Sequence, residues 1–205
     1  MGASLKKMGP LFGLVLLSIG LSIASPNFLT PSNLFSVLRQ VSYSGLIAFG
    51  MTFIILIGGI DLSVGAILAL VGIVTASLIQ AGMDPILASC IGLLLGAACG
   101  AINGLLVSFG RIAPFIATLA TMLMVRGLAF IASQGQAVGI ADETFISFGD
   151  TAVLGLPLPI WLTVVCFIVF GVLLNHTVFG RNTLAIGGNP EAARLAGVRV
   201  ERLRV

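Results

Sequence analysis

Leu38–Gly72 reads LRQVSYSGLIAFGMTFIILIGGIDLSVGAILALVG, two apolar runs parted by GGIDLSVG at Gly58–Gly65. An aspartate at the centre of a bilayer helix costs roughly 2.5–3.5 kcal/mol, so such a carboxylate belongs at a helix end, in a cavity or beside a partner. Glycines on both sides favour a helix end. Gly58 or Gly59 can close one helix, and Asp61 is then expected to cap the next, its carboxylate accepting from N–H groups near Val64. The competing reading gives Asp61, with Ser63 beside it, a place in a polar cavity, paired with Arg126.

The rest of the chain extends the same pattern. Of its 205 residues 58% are hydrophobic and only 8% charged, against roughly 25% charged in an average soluble domain; the mean hydropathy is +1.18. This is the composition of an all-α polytopic membrane protein. Uncharged apolar stretches broken at Pro, Asn and charge clusters give about six membrane helices, near residues 9–25, 41–59, 62–81, 85–108, 113–132 and 155–175. The first follows Lys6 and Lys7, but SPNFLTPSN after it offers no small-x-small cleavage site, so it reads as a helix rather than a signal peptide.

The net charge of +3 does not point to nucleic acid, because the basic residues sit in short segments without interleaved aromatics. They report topology instead. With the N-terminus in the cytoplasm, eight of the ten basic residues fall in inner loops (Lys6, Lys7, Arg111, Arg181, Arg194, Arg199, Arg202 and Arg204), and only Arg39 and Arg126 lie elsewhere. Ser133–Pro159 is expected to be an extracytoplasmic excursion or a re-entrant piece. Residues 180–205 read as a soluble amphipathic element of a single transmembrane domain, and a chain closing there is expected to be the amino-terminal part of a longer polypeptide.

Gly92, Gly96, Gly100 and Gly104 recur every four residues down the fourth helix, a face on which another backbone can approach closely. Asn103 beside that stripe, with Thr118, Thr121 and Gln134, is a candidate for lining a path, although hydroxyls in helices more commonly bond their own backbone. Near the end, Asn189 and Pro190 precede EAARLAG, Glu191–Gly197. Proline early, an acidic residue in the first turn and a closing glycine predict a helix of about two turns. So short a helix needs a surface to dock on.

Leu38–Gly72, NFLTPSNL near Asn27, Ile102–Phe130 and GRNTLAIGGNPEAARLAGV at Gly180–Val198 together resemble the permease subunits of ATP-binding cassette importers for ribose and other simple sugars. The resemblance covers nearly the whole chain. It implies an all-helical protein of the bacterial inner membrane that works as a homodimer in lipid, receives sugar from a periplasmic binding protein and is driven by a cytoplasmic ATP-binding subunit. It also implies that Gly187, Asn189, Glu191, Ala192, Ala193 and Gly197 form the segment coupling to that ATPase, and marks Gly58, Gly59, Asp61, Ser63, Gly65, Asn103, Thr118 and Arg126 as family-motif or pathway positions.

Chemistry of the chain's own is not expected. No Gly-x-x-x-x-Gly-Lys-Ser/Thr occurs and the only lysines are Lys6 and Lys7, so ATP belongs on a partner and this chain is expected to hold no cofactor. His176 reads as a helix-end residue. Cys90, Cys99 and Cys166 match no ligand or disulfide framework and are expected to be packing thiols. Two alternatives remain open: an ion-coupled secondary transporter or channel using Asp61 and Arg126, and a structural membrane subunit without a path.

Overall fold

The computed structural model describes residues 9–205, so Lys6 and Lys7 lie outside the described residues. Its helices are α1 (Gly9–Ala24), α2 (Pro31–Leu56), α3 (Val64–Gln80), α4 (Pro85–Ser108), α5 (Pro114–Ser133), α6 (Glu143–Asp150), α7 (Leu158–His176), α8 (Val178–Gly188), α9 (Pro190–Leu195) and α10 (Val200–Leu203). Four of these, α2, α4, α5 and α7, are long and apolar enough to cross a membrane. The fold is polytopic and α-helical. The other two of the six expected spans fall on α1 and α3, which are apolar but shorter, at 16 and 17 residues.

Proline punctuates the helix starts. Pro31, Pro85, Pro114 and Pro190 all stand in a first turn, where a missing N–H costs nothing. Asp84 caps α4 by accepting from the N–H groups of Ile86 and Leu87, both at 3.0 Å. The second helix begins ten residues before the expected position 41, because Thr30 caps it and the Asn33 side chain folds back to donate to the Phe28 carbonyl at 2.7 Å. Its polar first turns have the composition of a loop, yet they form a capped entry.

Two packed groups result. In one, α3 lies against α4 and α5, around Leu70, Val125 and Ala129, with Cys99 at the edge. The glycine stripe is what lets α4 approach: a Cβ on Gly92 would strike the Thr75 hydroxyl, and one on Gly96 would sit 3.3 Å from Val71. Gly100 faces open space. Cys90 is exposed rather than packed inside, on a helix whose surroundings are apolar.

In the other group, α2 packs on α7 and α8. Phe49 and Phe53 of α2 meet Phe167 and Phe170 of α7 and Phe179 of α8, with ring centroids 5.7–6.2 Å apart. No residue of α7 is fully buried inside the described chain. A single amphipathic stripe is therefore not the rule here; helices apolar all round belong in lipid or against other apolar surfaces.

The segment between α5 and α7 forms α6, capped by Asp142 on Phe145 N–H at 2.8 Å, and a hairpin of Ala152–Val153 (β1) with Leu156–Pro157 (β2). Leu154 and Gly155 turn it with positive φ at both positions, as a two-residue hairpin loop requires. The Gln80 side chain donates to the Gly139 carbonyl at 2.6 Å, fastening the segment to the end of α3.

Candidate functional site

The break at Gly58–Gly65 is a sharp turn between α2 and α3. Gly58 adopts φ +78, donating to the Ile55 carbonyl at 3.0 Å, and Gly59 donates to Ile54 at 2.8 Å. That pair of bonds is the Schellman closure of a helix. Gly59 also lies so close to Ile54 that a Cβ would sit 3.0 Å from its side chain and 3.2 Å from its carbonyl.

Asp61 does not cap α3. Ser63 holds the N-cap position, fully buried, and its side chain makes no capping bond. Asp61 Oδ1 instead accepts from Ser63 twice, from the N–H at 2.7 Å and from the hydroxyl at 2.6 Å. The physical reason is reach: an Asp two residues ahead bonds the next-but-one N–H and closes a local turn. Ser63 Oγ in turn accepts from Asn103 Nδ2 at 2.8 Å, and the Thr118 hydroxyl is shared between the Ile60 carbonyl at 3.2 Å and the Pro114 carbonyl of its own helix at 2.8 Å. The turn is thus bonded to α4 through Asn103 and to α5 through Thr118, both side chains buried.

Beside it opens a cleft of about 1060 Å³, whose walls include Gly58, Asp61, Gly100, Asn103, Thr118 and Arg194. Asn103 Oδ1 has no hydrogen-bond partner among the described residues, which leaves a buried acceptor at the wall. Of the sequence candidates, Gly58, Gly59, Asp61, Ser63, Asn103 and Thr118 come together here. Thr121 is buried one turn further along α5. Gly65 is exposed, and a Cβ there would meet nothing within 4 Å. Arg126 is exposed on α5 eight residues beyond Thr118, about 12 Å along the axis. The pairing with Asp61 that the competing reading called for is therefore not made: Asp61 Oδ1 is taken by Ser63. Gln134 ends α5 in the left-handed region, φ 53, at the far end of the helix from the cleft.

The second group of candidates lies on α8–α10. Thr177 caps α8 by accepting from the Gly180 N–H at 3.2 Å. Asn189 caps α9, its Oδ1 accepting from Glu191 and Ala192 N–H at 3.0 and 3.1 Å. Gly197 closes α9 at φ +86, with Gly197 N–H donating to Arg194 and Val198 N–H to Ala193, both at 3.0 Å. Ala193 points inward, onto Ile186 and Val200; Glu191 and Ala192 face out. Arg194 is held at both ends of its guanidinium, by Glu191 at 2.7 Å and Glu201 at 2.6 Å. These bonds raise the Arg194 pKa, Glu201 foremost, and its own backbone N–H followed by Arg194 holds the Glu201 carboxyl below its ordinary value.

Two features escape a motif reading. Leu195 is 91% exposed at the end of α9, and its only signal is a lone large apolar residue in an otherwise small and polar helix. Ile186, Ala193 and Val200 recur every seven residues, the spacing by which three short helices share one core, and Ile57 from the end of α2 packs onto them. Gly187 lies against the same helix end, where a Cβ would collide with the Leu56 carbonyl.

This geometry has relatives by sequence. The family model described as branched-chain amino acid transport system / permease component matches residues 33–205. The ribose import permease protein RbsC of Bacillus subtilis (strain 168) is 50% identical over 98% of this chain and 63% of its own length. The L-arabinose transport system permease protein AraH of Escherichia coli (strain K12) is 49% identical over 96% of this chain and 60% of its own. For RbsC of Escherichia coli (strain K12) the values are 42%, 94% and 61%. The chain thus spans about three fifths of the length of these curated relatives. No solved structure matches it. With the family model covering residues 33–205, the chain belongs to the branched-chain amino acid transport system / permease component family.

Proposed function

We propose that this chain serves as the membrane permease of an ATP-driven importer, passing ribose, arabinose or a related simple sugar from a periplasmic binding protein to the cytoplasm. It sits in the bacterial inner membrane with its N-terminus and α8–α10 in the cytoplasm, pairs with a second permease copy, and performs no covalent chemistry. ATP is hydrolysed on a separate subunit. The observation that carries the reading is kinship to ribose and arabinose permeases sustained along 94–98% of the chain; four spanning-length apolar helices and a polar cleft wall support it.

The ATPase docks on α9. Its supports are physical: a six-residue helix is too short to persist alone, this one is fixed by Asn189, Gly197 and its inward Ala193, and it presents Leu195 outward. A leucine in water contributes nothing, whereas burying it against a partner is worth about 1.5–3 kcal/mol. Arg194, satisfied within the chain, serves as a brace between α9 and α10 rather than as the partner's contact.

The test is uptake of labelled ribose and arabinose by cells that lack their own permeases, with this chain co-expressed beside an ATP-binding subunit and a binding protein. Leu195→Asp should leave the chain in the membrane, weaken co-purification of the ATPase by about tenfold or more and lower uptake accordingly. Undiminished uptake in that variant would remove α9 as the docking element, and absence of uptake with the unsubstituted chain would remove the transport reading.

A further inference from the structure

The Gly58–Ser63 turn is held from two sides, and the two sides belong to the two packed groups. From the α2 side, Ile57 packs with Ile186, Ala193 and Val200, while the Gly187 backbone abuts the Leu56 carbonyl with no room for a Cβ. From the other, Ile60 accepts from Thr118 of α5, and Ser63 joins Asp61 to Asn103 of α4. Between Leu56 and Ser63 lie six residues, closed into a turn by the bonds of Gly58, Gly59 and Asp61. Such a segment has little slack.

We propose that this turn is a mechanical relay joining the α8–α9 segment to the α4–α5 pair, with Ser63 as its positioning residue; its purpose, though not its geometry, rests on the transport reading. A displacement of α9 moves Ile186 and Gly187, which moves the end of α2. The turn must then either drag Asn103 and Thr118, at the cleft wall, or break their bonds to Ser63 and Ile60. Breaking leaves the buried Asn103 amide without the Ser63 hydroxyl, the costlier course. Ser63 is the keystone because its one hydroxyl both donates to Asp61 and accepts from Asn103. The carboxylate in GGIDLSVG is therefore a brace, and Asp61 acts through Ser63 rather than on a substrate.

A double-mutant cycle on the full chain in phospholipid nanodiscs reads this directly, using hydrogen exchange at the Ser63–Ile67 amides. Ile186→Val removes one methylene from the α8 core and should speed exchange at those amides, although they lie in the other helix group. Ser63→Ala should abolish that effect, a coupling of about twofold or more, as expected of residues in one network. Ser63→Thr, which keeps the hydroxyl, should restore it. Additive effects of Ile186→Val and Ser63→Ala, or no response of the Ser63–Ile67 amides to Ile186→Val, would overturn the relay. Since the cycle uses neither sugar nor ATPase, that result would leave the transport reading standing, and failure of uptake would leave the measured coupling intact.

Discussion

Arg194 ties two short helices together with one guanidinium. Glu191 on its own helix and Glu201 on α10 each accept from a different nitrogen, so α10 is fastened to α9 by charge as well as by Val200. All three groups stand at the surface, where solvent screening keeps such pairs weak. The sign of their pH dependence is still fixed. Glu201's folded pKa is depressed, so the clasp contributes fully above the ordinary glutamate value, about pH 4.3, and is lost as pH falls through the lower folded value. Arg194's raised pKa keeps it charged through neutral and alkaline pH. Nitrogen-15 spectra of the Arg194 side chain should accordingly stay constant from about pH 7 down to about 4.3 and move below it, and Glu201→Gln should remove that step. A transition above about pH 5 would mean that neither its own backbone N–H nor Arg194 holds the carboxylate.

At the scale of the element, α4 shows that one motif can carry two roles. Gly92 and Gly96 take the α3 side chains Thr75 and Val71, whereas Gly100 opens on the cleft. Gly92→Leu should therefore separate α3 from α4, costing about 1–3 kcal/mol or more by overpacking, while Gly100→Leu should leave thermal stability in detergent close to that of the parent and narrow the cleft. Equal loss of stability in both variants would show that Gly100 also meets a helix. The stripe itself is legible from four glycines at a spacing of four; which glycine meets a neighbour is not, because it depends on where α3 lies. Helix ends are legible where Pro, Gly or a capping side chain marks them, as at Pro85, Gly58 and Gly197. The start of α2 is hidden because Pro31, Ser32 and Asn33 read as a loop until the Thr30 cap is seen. Asp61 does mark a helix break, but its partners are not readable, since Asn103 reaches Ser63 across forty residues of chain.

For the whole molecule the decisive arrangement is which ends of the helices share a side. The α8–α10 segment and the Gly58–Ser63 turn are neighbours through Ile57, and the β1–β2 hairpin stands at the opposite end of α7, where Trp161 donates to the Val153 carbonyl at 2.9 Å. α7 has 19 residues, about 28 Å of helix, close to the thickness of the hydrocarbon core. Leu154, 86% exposed at the hairpin tip, and Leu195, 91% exposed on α9, therefore stand on either side of α7 in the chain. The proposed cytoplasmic placement of α9 is supported by the basic residues around it, Arg181, Arg199, Arg202 and Arg204. In a background with Cys90, Cys99 and Cys166 replaced, a membrane-impermeant thiol reagent applied to intact spheroplasts should label Leu154→Cys, whereas Leu195→Cys should react only after permeabilisation. The reverse pattern would invert the topology and place α9 out of reach of any cytoplasmic ATPase. Labelling of both in sealed cells would mean that α7 does not cross.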